Sequence, residues 1–491
     1  CCLPYTLTDA ASGSQKGCLY VKGHAEFKQK GTLNVIGNLK HGIKAGEYIT
    51  VKNATINVTS AVGDGISCNQ YFLMESGSVT INGTGDDGLQ VDLDGTTSTG
   101  MTTEHEDEDS GNVYVSGGTI TINCAAVAAK GIKCVGDAYI SDNAILDITT
   151  TGKGEWDETD LETNAACGLS ADGDINISGG TITLTATGSG GKGMKCDNVM
   201  NISGGDITVS TTGGLYYNNG TTENTNYTGN TDNINNSYYS SAKGIKVGYK
   251  DESGSTTICY GGINISGGTI TIINETGNDA DGLDSNGDIF ISGGTIYVSL
   301  QGSGSNSAVD YGSESGGICQ ITGGEIVACG SSMMAEGFSD TSTQCAILYN
   351  LGYSAEAGTS VAVKDAAGNE ILSYTVPCAF SSVSLSSPEM RVGETYAIVI
   401  GDKEEQFTLD SVSTTLGSSG GMGGFGGGGW GMRQRSSDES GEGNERRSGM
   451  GGRGGMGARP GNTDAAMQDF SNMPTPPDFE GEMPEIGRAH V

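Results

Sequence analysis

A glycine followed by an apolar residue recurs along most of this chain, and this repeat constrains the fold more than any other feature of the sequence. Each copy leads into an alternating apolar–polar segment, a Ser-Gly-Gly-type turn and a second alternating segment, as in DINISGGTITL from Asp174. The shorter intervals between copies are 23 to 26 residues, and the longer ones contain polar insertions. The copies are Gly42-Ile43, Gly65-Ile66, Gly88-Leu89, Gly131-Ile132, Gly168-Leu169, Gly193-Met194, Gly244-Ile245, Gly282-Leu283 and the degenerate Ala308-Val309.

Alternation with a period of two predicts β-strands, because successive side chains of a strand point to opposite faces. One unit of about 23 residues has too little apolar surface to fold alone, so the units must stack on one another. We therefore predict an all-β chain that winds as a parallel β-helix, a solenoid of about nine to ten coils. A β-propeller is the main alternative, but each of its blades needs about 40 residues or more.

Three segments follow from this pattern. Residues 1–339 carry the repeat, and residues 340–416 predict a terminal β-rich cap over the strand edges that the last coil exposes. Residues 417–491 are rich in Gly, Met and Arg and predict a disordered tail, because they cannot bury enough apolar surface to offset the entropy of ordering. The last six, 486–491, resemble a translated sequencing adapter. We expect a fragment that is open at both ends and has lost its signal peptide.

Polar insertions concentrate at two corners of the predicted coils. One corner carries residues 93–111 and 248–261, and the other carries 151–166 and 211–242. Insertions on one part of a solenoid often mark its functional face.

The charge balance narrows the function. The chain has 59 acidic and 25 basic side chains, a formal net charge of -34, and a surface this acidic disfavours nucleic-acid binding. No segment approaches the ~20 consecutive apolar residues that a membrane-spanning helix needs. The four histidines are scattered, at 24, 41, 105 and 490, and support no Ser-His-Asp or Cys-His grouping.

The segments GDGISCN, GDDGLQVD, AKGIKC, GKGMKCDN and ADGLDSNGDIFISGGTI, with the Gly/Met-rich tail, resemble a bacterial family of carbohydrate-binding-domain-containing proteins. The resemblance covers roughly residues 18 to 416. It implies a right-handed parallel β-helix similar to pectate lyases, binding of cellulose or polygalacturonate, and bound Ca²⁺. It also implies an extracellular or cell-surface location.

Three cysteines occupy the third position after a repeat glycine, namely Cys68, Cys134 and Cys196. They fall in alternate coils about 9.6 Å apart, beyond the reach of a disulfide, so we predict buried free thiols.

Lysines align at the second position after the repeat glycine. Lys133, Lys195 and Lys246 share this column in a body, residues 1–416, of net charge -31. The position predicts outward-pointing side chains, and the column is the candidate binding strip for an acidic or hydroxyl-rich polysaccharide. Lysines that only protect a sheet face from aggregation are the alternative.

Acidic residues align at and beside the same strands. Carboxylates on adjacent coils, about 5 Å apart, repel one another unless a cation lies between them, and Asp, Asn and Gly turns supply the oxygens that Ca²⁺ prefers. Plain Asx-turn residues are the alternative. The candidate Ca²⁺ ligands are Asp92, Asp94, Asp172, Asp174, Asp197, Asp284 and Asp310.

Three functions remain open from the sequence. The first is a noncatalytic extracellular polysaccharide-binding protein stabilised by Ca²⁺. The second is a Ca²⁺-dependent polysaccharide lyase, for which Lys246 beside Asp284 is the candidate base. The third is a structural surface adhesin.

Overall fold

The computed structural model describes residues 16–95, 108–229, 234–251, 258–302, 304 and 306–417. The chain is all-β there, with two short 3-10 turns at Asn236–Tyr238 and Ser313–Ser315. Among the described residues no helix has the length and apolar character to cross a bilayer. The tail beyond residue 417, with its final six residues, lies outside the described part.

One large sheet, sheet A, has ten strands and contains the repeat glycines or, at Gly65 and Gly88, begins directly after them. Its strands are β1 (Gly17–Val21), β4 (His41–Ala45), β7 (Ile66–Asn69), β10 (Leu89–Asp92), β12 (Lys130–Cys134), β16 (Cys167–Ala171), β18 (Lys192–Cys196), β23 (Lys243–Val247), β27 (Asp281–Ser285) and β29 (Ser307–Asp310).

The second large sheet, sheet B, has sixteen strands and contains the alternating segments that follow each repeat glycine. Its strands are β2 (Ala25–Phe27), β3 (Thr32–Gly37), β5 (Ile49–Val51), β6 (Thr55–Ala61), β8 (Tyr71–Met74), β9 (Ser78–Thr84), β11 (Asn112–Cys124), β13 (Ala138–Thr150), β17 (Ile175–Ala186), β19 (Val199–Thr211), β26 (Gly262–Asn274), β28 (Asp288–Leu300), β30 (Cys319–Gly330), β31 (Ala346–Ala355), β34 (Phe380–Ser386) and β37 (Ser413–Gly417).

Along the repeats the chain alternates between the two sheets, and each strand pairs in parallel with the strand one repeat later. In sheet A, Lys133 pairs with Ser170, Ser170 with Lys195, and Lys195 with Lys246. Equivalent positions of successive repeats therefore form columns across the sheet. Both sheets are open, with no strand closing either one on itself.

The Ser-Gly-Gly segment, which the sequence predicts as a turn between two strands, lies inside one continuous strand of sheet B. The register between β17 and β19 shifts between Ser178 and Thr181 and then resumes. Gly180 has a φ of +88°, and a Cβ there would lie 2.7 Å from the carbonyl oxygen of Ala144. The two glycines thus bend the strand without ending it, as a β-bulge does.

A continuous apolar core lies between the two sheets and runs from Ala25 to Ala346. The repeat glycine lets the sheets approach: a Cβ on Gly131 would overlap the Cγ2 atom of Ile148 and lie 2.6 Å from the carbonyl oxygen of Gly168. The cysteine prediction is confirmed, because the three thiols of the column are buried and free.

Smaller sheets make up the rest of the described chain. One insertion corner contains a hairpin of β14 (Glu155–Asp157) and β15 (Glu162–Asn164). The same corner contains a three-stranded sheet of β20 (Tyr216–Asn218), β21 (Glu223–Asn224) and β22 (Tyr239–Ser240). The other insertion corner contains a pair of strands, β24 (Lys250–Asp251) and β25 (Ile258–Cys259). The C-terminal sheet contains β32 (Ser360–Lys364), β33 (Glu370–Thr375), β35 (Thr395–Ile400) and β36 (Lys403–Thr408) and encloses a second core between Val327 and Leu409.

Candidate functional site

The predicted lysine column is present in sheet A, but its side chains are half-buried rather than fully outward. Lys133, Lys195 and Lys246 are each partly covered. The same column at Lys44 shows why, since its amine reaches along the sheet to the Ser67 hydroxyl at 3.0 Å on the adjacent strand. Long side chains in this column lie over their neighbours instead of extending into solvent.

A second lysine column lies beside the first. Lys130, Lys192 and Lys243 each directly precede a repeat glycine. In sheet A, Lys130 pairs with Cys167, Cys167 with Lys192, and Lys192 with Lys243. The sequence analysis missed them, although the segments KGIKC, KGMKC and KGIKV repeat the spacing Lys-Gly-x-Lys. We call the six residues Lys130, Lys133, Lys192, Lys195, Lys243 and Lys246 the lysine face.

The lysine face concentrates positive charge. Burial lowers the pKa of Lys192 to about 7, and the neighbouring amines of Lys195, Lys243 and Lys246 lower it further, opposed by Cys167. Burial likewise lowers the pKa of Lys130, with Lys133 acting in the same direction. The amine of Lys192 donates to the Ser240 hydroxyl at 2.6 Å rather than to a carboxylate. Crowded amines of this kind are stabilised by an anion that binds between them.

Buried carboxylates neutralise the face most strongly at one end. Lys243 forms ion pairs with Asp281 and, at 3.5 Å, with Asp284. Lys246 donates at 2.6 Å to Asp284 and at 2.6 Å to the side-chain oxygen of Asn286. Burial alone would lower the pKa of Lys243, but these carboxylates hold it well above its usual value. Two of the six amines are therefore fixed by residues of the next repeat.

Three carboxylates meet at this end, and we call Asp281, Asp284 and Asp310 the carboxylate cluster. Each residue offers one carboxylate oxygen, and these three oxygens lie within 4.8 Å of one another. The sequence analysis named Asp284 and Asp310 as candidate ligands. It missed Asp281, although Asp281 directly precedes a repeat glycine, as Lys243 does in the adjacent strand.

The donor set of the cluster is compatible with a cation. Lysine amines reach Asp281 and Asp284, whereas no described residue donates a hydrogen bond to the Asp310 carboxylate. Burial, with the charges of Asp281 and Asp284, raises the pKa of Asp310 well above its usual value. A hard cation that prefers oxygen ligands would relieve this repulsion.

The other predicted metal ligands lie apart from this cluster. The Asp92 carboxylate accepts the side-chain amide of Gln90 at 2.9 Å, and Asp94 is exposed. The Asp174 carboxylate accepts the backbone N–H of Val199 at 3.0 Å, which links it to the next repeat. Burial and the nearby Asp197 raise the pKa of Asp172.

The outer end of the lysine face is more open. Lys195 pairs with Asp197 at 3.0 Å, with two fifths of its side chain exposed. Within the described chain, Lys133 makes no ion pair. These two lysines are accessible to a ligand, whereas Lys246 already uses two of its three donor positions.

Comparison with known proteins gives one match. A family model described as carbohydrate-binding domain-containing protein matches residues 4–220. The match spans less than half of the chain and includes Lys133 and Lys195. No curated protein matches the chain, and no solved structure matches it.

Proposed function

We propose that this chain is a noncatalytic polysaccharide-binding protein that holds an acidic glycan, of the polygalacturonate type, along its lysine face. The similarity of residues 4–220 to carbohydrate-binding proteins supports the ligand class. Because such polysaccharides lie outside cells, we place the protein in the extracellular space or on the cell surface.

The proposed architecture is a right-handed parallel β-helix. Parallel pairing one repeat apart in both large sheets supports winding in coils, and parallel crossovers are right-handed in nearly all proteins. Coils spaced about 4.8 Å apart form a rod along which an extended polymer can lie.

The observation that carries the proposal is the concentration of six of the 17 lysines of the chain on three of four adjacent strands of sheet A. A polymer with a carboxylate on every sugar can meet several of these amines together. Each partly exposed ion pair contributes about 1 kcal/mol or less, so affinity arises from their sum.

We further propose that Ca²⁺ binds the carboxylate cluster beside the lysine face. Asp310, which lacks a donor among the described residues, would hold the ion together with oxygens of Asp281 and Asp284. The ion would add positive charge at the end of the face that carboxylates neutralise.

Retention on immobilised polygalacturonate tests the proposal. The double variant Lys133→Ala/Lys195→Ala removes the two accessible amines and leaves the buried pairs of Lys246 intact. We expect it to lose most of the retention and to keep the thermal unfolding midpoint of the wild type. The control Lys30→Ala/Lys40→Ala removes two exposed lysines elsewhere and should retain the polymer. Equal retention by both variants would contradict the proposed site.

A lyase is the second candidate, and the pKa of about 7 for Lys192 favours it, since a general base must be unprotonated near neutral pH. The earlier candidate base, Lys246, has its amine engaged by Asp284 and Asn286. Appearance of unsaturated, ultraviolet-absorbing products from polygalacturonate, lost in Lys192→Met, would establish the lyase and overturn the noncatalytic proposal.

A further inference from the structure

Lys192 lies in the middle of the lysine face, among other amines and without a carboxylate partner. On the neighbouring strands it is in register with Cys167 on one side and with Lys243 on the other, and Lys195 follows on its own strand. Within the described chain no carboxylate forms an ion pair with its amine. The surroundings of Lys192 therefore supply positive charge with no anion to balance it.

The flanking amines keep their protons. Burial would lower the pKa of Lys195, but the Asp197 carboxylate, 3.0 Å away, raises it above its ordinary value. The carboxylates paired with Lys243 act in the same direction on that amine. Lys192 has no such partner, so burial and the neighbouring charges lower its pKa to about 7. Near neutral pH about half of the Lys192 amines are therefore uncharged.

Hydrogen bonds fix the position of this amine and leave its lone pair free. The Lys192 amine donates to the Ser240 hydroxyl at 2.6 Å and to the carbonyl of Gly190 at 3.5 Å. The Ser240 hydroxyl donates its own proton to the same carbonyl at 2.9 Å. Ser240 is buried, whereas Lys192 is only partly covered. An uncharged amine in this position is a nucleophile that a small molecule can reach.

We propose that Lys192 is a carbamylation site, which takes up dissolved CO₂ as a carbamate. The lone pair of the uncharged amine attacks the carbon of CO₂ and forms an N–C bond, while the electron pair of one C–O π bond moves to its oxygen. The nitrogen then releases one proton to the solvent. The amine and CO₂ thus give a carbamate anion and one proton, and no other reactant is consumed.

The charges around Lys192 favour this product. The carbamate places an anion beside the amines of Lys195, Lys243 and Lys246, whose repulsion opposes a proton at the same position. The Ser240 hydroxyl, 2.6 Å from the amine, lies close enough to donate a hydrogen bond to the new carboxylate group. An ordinary exposed lysine keeps its proton at neutral pH, because its pKa is about 10.4, and so reacts far less.

Carbamylation changes the charge of the lysine face. It introduces an anion on the surface that we propose for the carboxylates of a glycan, so it should weaken their binding. This consequence rests on the proposed function, whereas the carbamate itself does not. CO₂ would in this way regulate how strongly the face holds an acidic polymer.

Isotope labelling tests the carbamate directly and without any glycan. The full chain is equilibrated with ¹³C-bicarbonate near neutral pH, an oxonium reagent converts carbamates into stable esters, and mass spectrometry maps the labelled peptides. We expect label on Lys192 and at least about tenfold less on the exposed control Lys30. The Lys192 label should be absent in Lys192→Met. No label on Lys192, or equal labelling of Lys192 and Lys30, would overturn the proposal.

A variant of a flanking amine tests why Lys192 reacts. Lys195→Met removes one neighbouring positive charge, so it should lower the labelled fraction of Lys192 about threefold or more. The matched control Lys40→Met, an exposed lysine elsewhere, should leave that fraction unchanged. Equal labelling of Lys192 in both variants would contradict the role given to the flanking amines.

Retention on polygalacturonate tests the effect on the glycan separately. When dissolved CO₂ is raised at constant pH and ionic strength, retention of the wild type should fall, and retention of Lys192→Met should stay constant. Labelled Lys192 with unchanged retention would overturn the regulation of glycan binding, while the labelling result alone decides the carbamate.

Discussion

Lys192 is a buried amine without a carboxylate partner, and its charge opposes folding. Its pKa of about 7 in the folded protein lies below the ordinary 10.5, chiefly because of burial. Between pH 7 and pH 10.5 the unfolded chain binds more protons than the folded chain. This group therefore makes the free energy of unfolding rise with pH over that range.

Replacing this amine should therefore stabilise the protein at neutral pH. We expect Lys192→Met to be more stable than the wild type at pH 7, on the order of 2 kcal/mol, with the difference shrinking toward pH 10.5. Urea unfolding at a series of pH values measures it, with Lys30→Met as the exposed control. A difference that stays constant with pH would show that Lys192 is not neutralised by folding.

Lysines of one column should differ sharply in their effect on stability. Lys246→Ala leaves the buried Asp284 carboxylate with one amine fewer and should cost about 3–5 kcal/mol. Lys133→Ala breaks no ion pair among the described residues and should cost about 0.5 kcal/mol or less. Equal losses in chemical denaturation would mean that the Lys246–Asp284 pair does not form.

At the scale of the strand, glycine decides how closely the sheets pack. Gly131→Ala should destabilise the protein by about 1–3 kcal/mol, because the new methyl group would overlap Ile148 and the backbone of the next repeat. Gly31→Ala is the control, since its Cβ would meet no atom within 4 Å. Thermal unfolding distinguishes the two, and an unaffected Gly131→Ala would place the repeat glycine outside the core.

The inward column of sheet B offers a second test of register. Ile177 is buried in the apolar core, and Ile177→Asp would place an unpaired charge there. We expect a loss of about 3 kcal/mol or more in urea unfolding, whereas Asn176→Asp, on the opposite face of the same strand, should be tolerated. A loss below about 1 kcal/mol for Ile177→Asp would mean the register is wrong.

Much of the strand pattern is predictable from the sequence, because alternation and the repeat glycine are local signals. The bulge at Gly180 was not predictable, since Gly-Gly marks a turn as well as a bend. Only pairing with the neighbouring strand of sheet B keeps this strand continuous. The sequence predicted half of the lysine face. Lys133, Lys195 and Lys246 were found because each lies two positions after a repeat glycine. Counting forward passes over the lysines that directly precede a repeat glycine, although Lys243 and Lys246, on the two sides of one glycine, both reach Asp284.

At the scale of the whole molecule, charge is distributed unevenly, and the carboxylate cluster should couple stability to Ca²⁺. In chelator, Asp310→Asn should be as stable as the wild type or more so, since it removes a buried charge without a donor. With Ca²⁺ at a hundred times its Kd, the wild type should gain about 2.7 kcal/mol and the variant should not.

The exposed Asp94→Asn is the control for that experiment and should respond to Ca²⁺ as the wild type does. Calorimetric unfolding in chelator and in Ca²⁺ measures all three proteins. An equal gain in Asp310→Asn would place the ion elsewhere.

The central claim is that the lysine face recognises carboxylates on a glycan. Titration calorimetry with an oligogalacturonate and with its fully methyl-esterified form tests it most directly, because the two ligands differ only in charge. We predict at least about tenfold tighter binding of the acid by the wild type, and no difference between the two ligands for Lys133→Ala/Lys195→Ala. Equal affinity of the wild type for acid and ester would contradict the account.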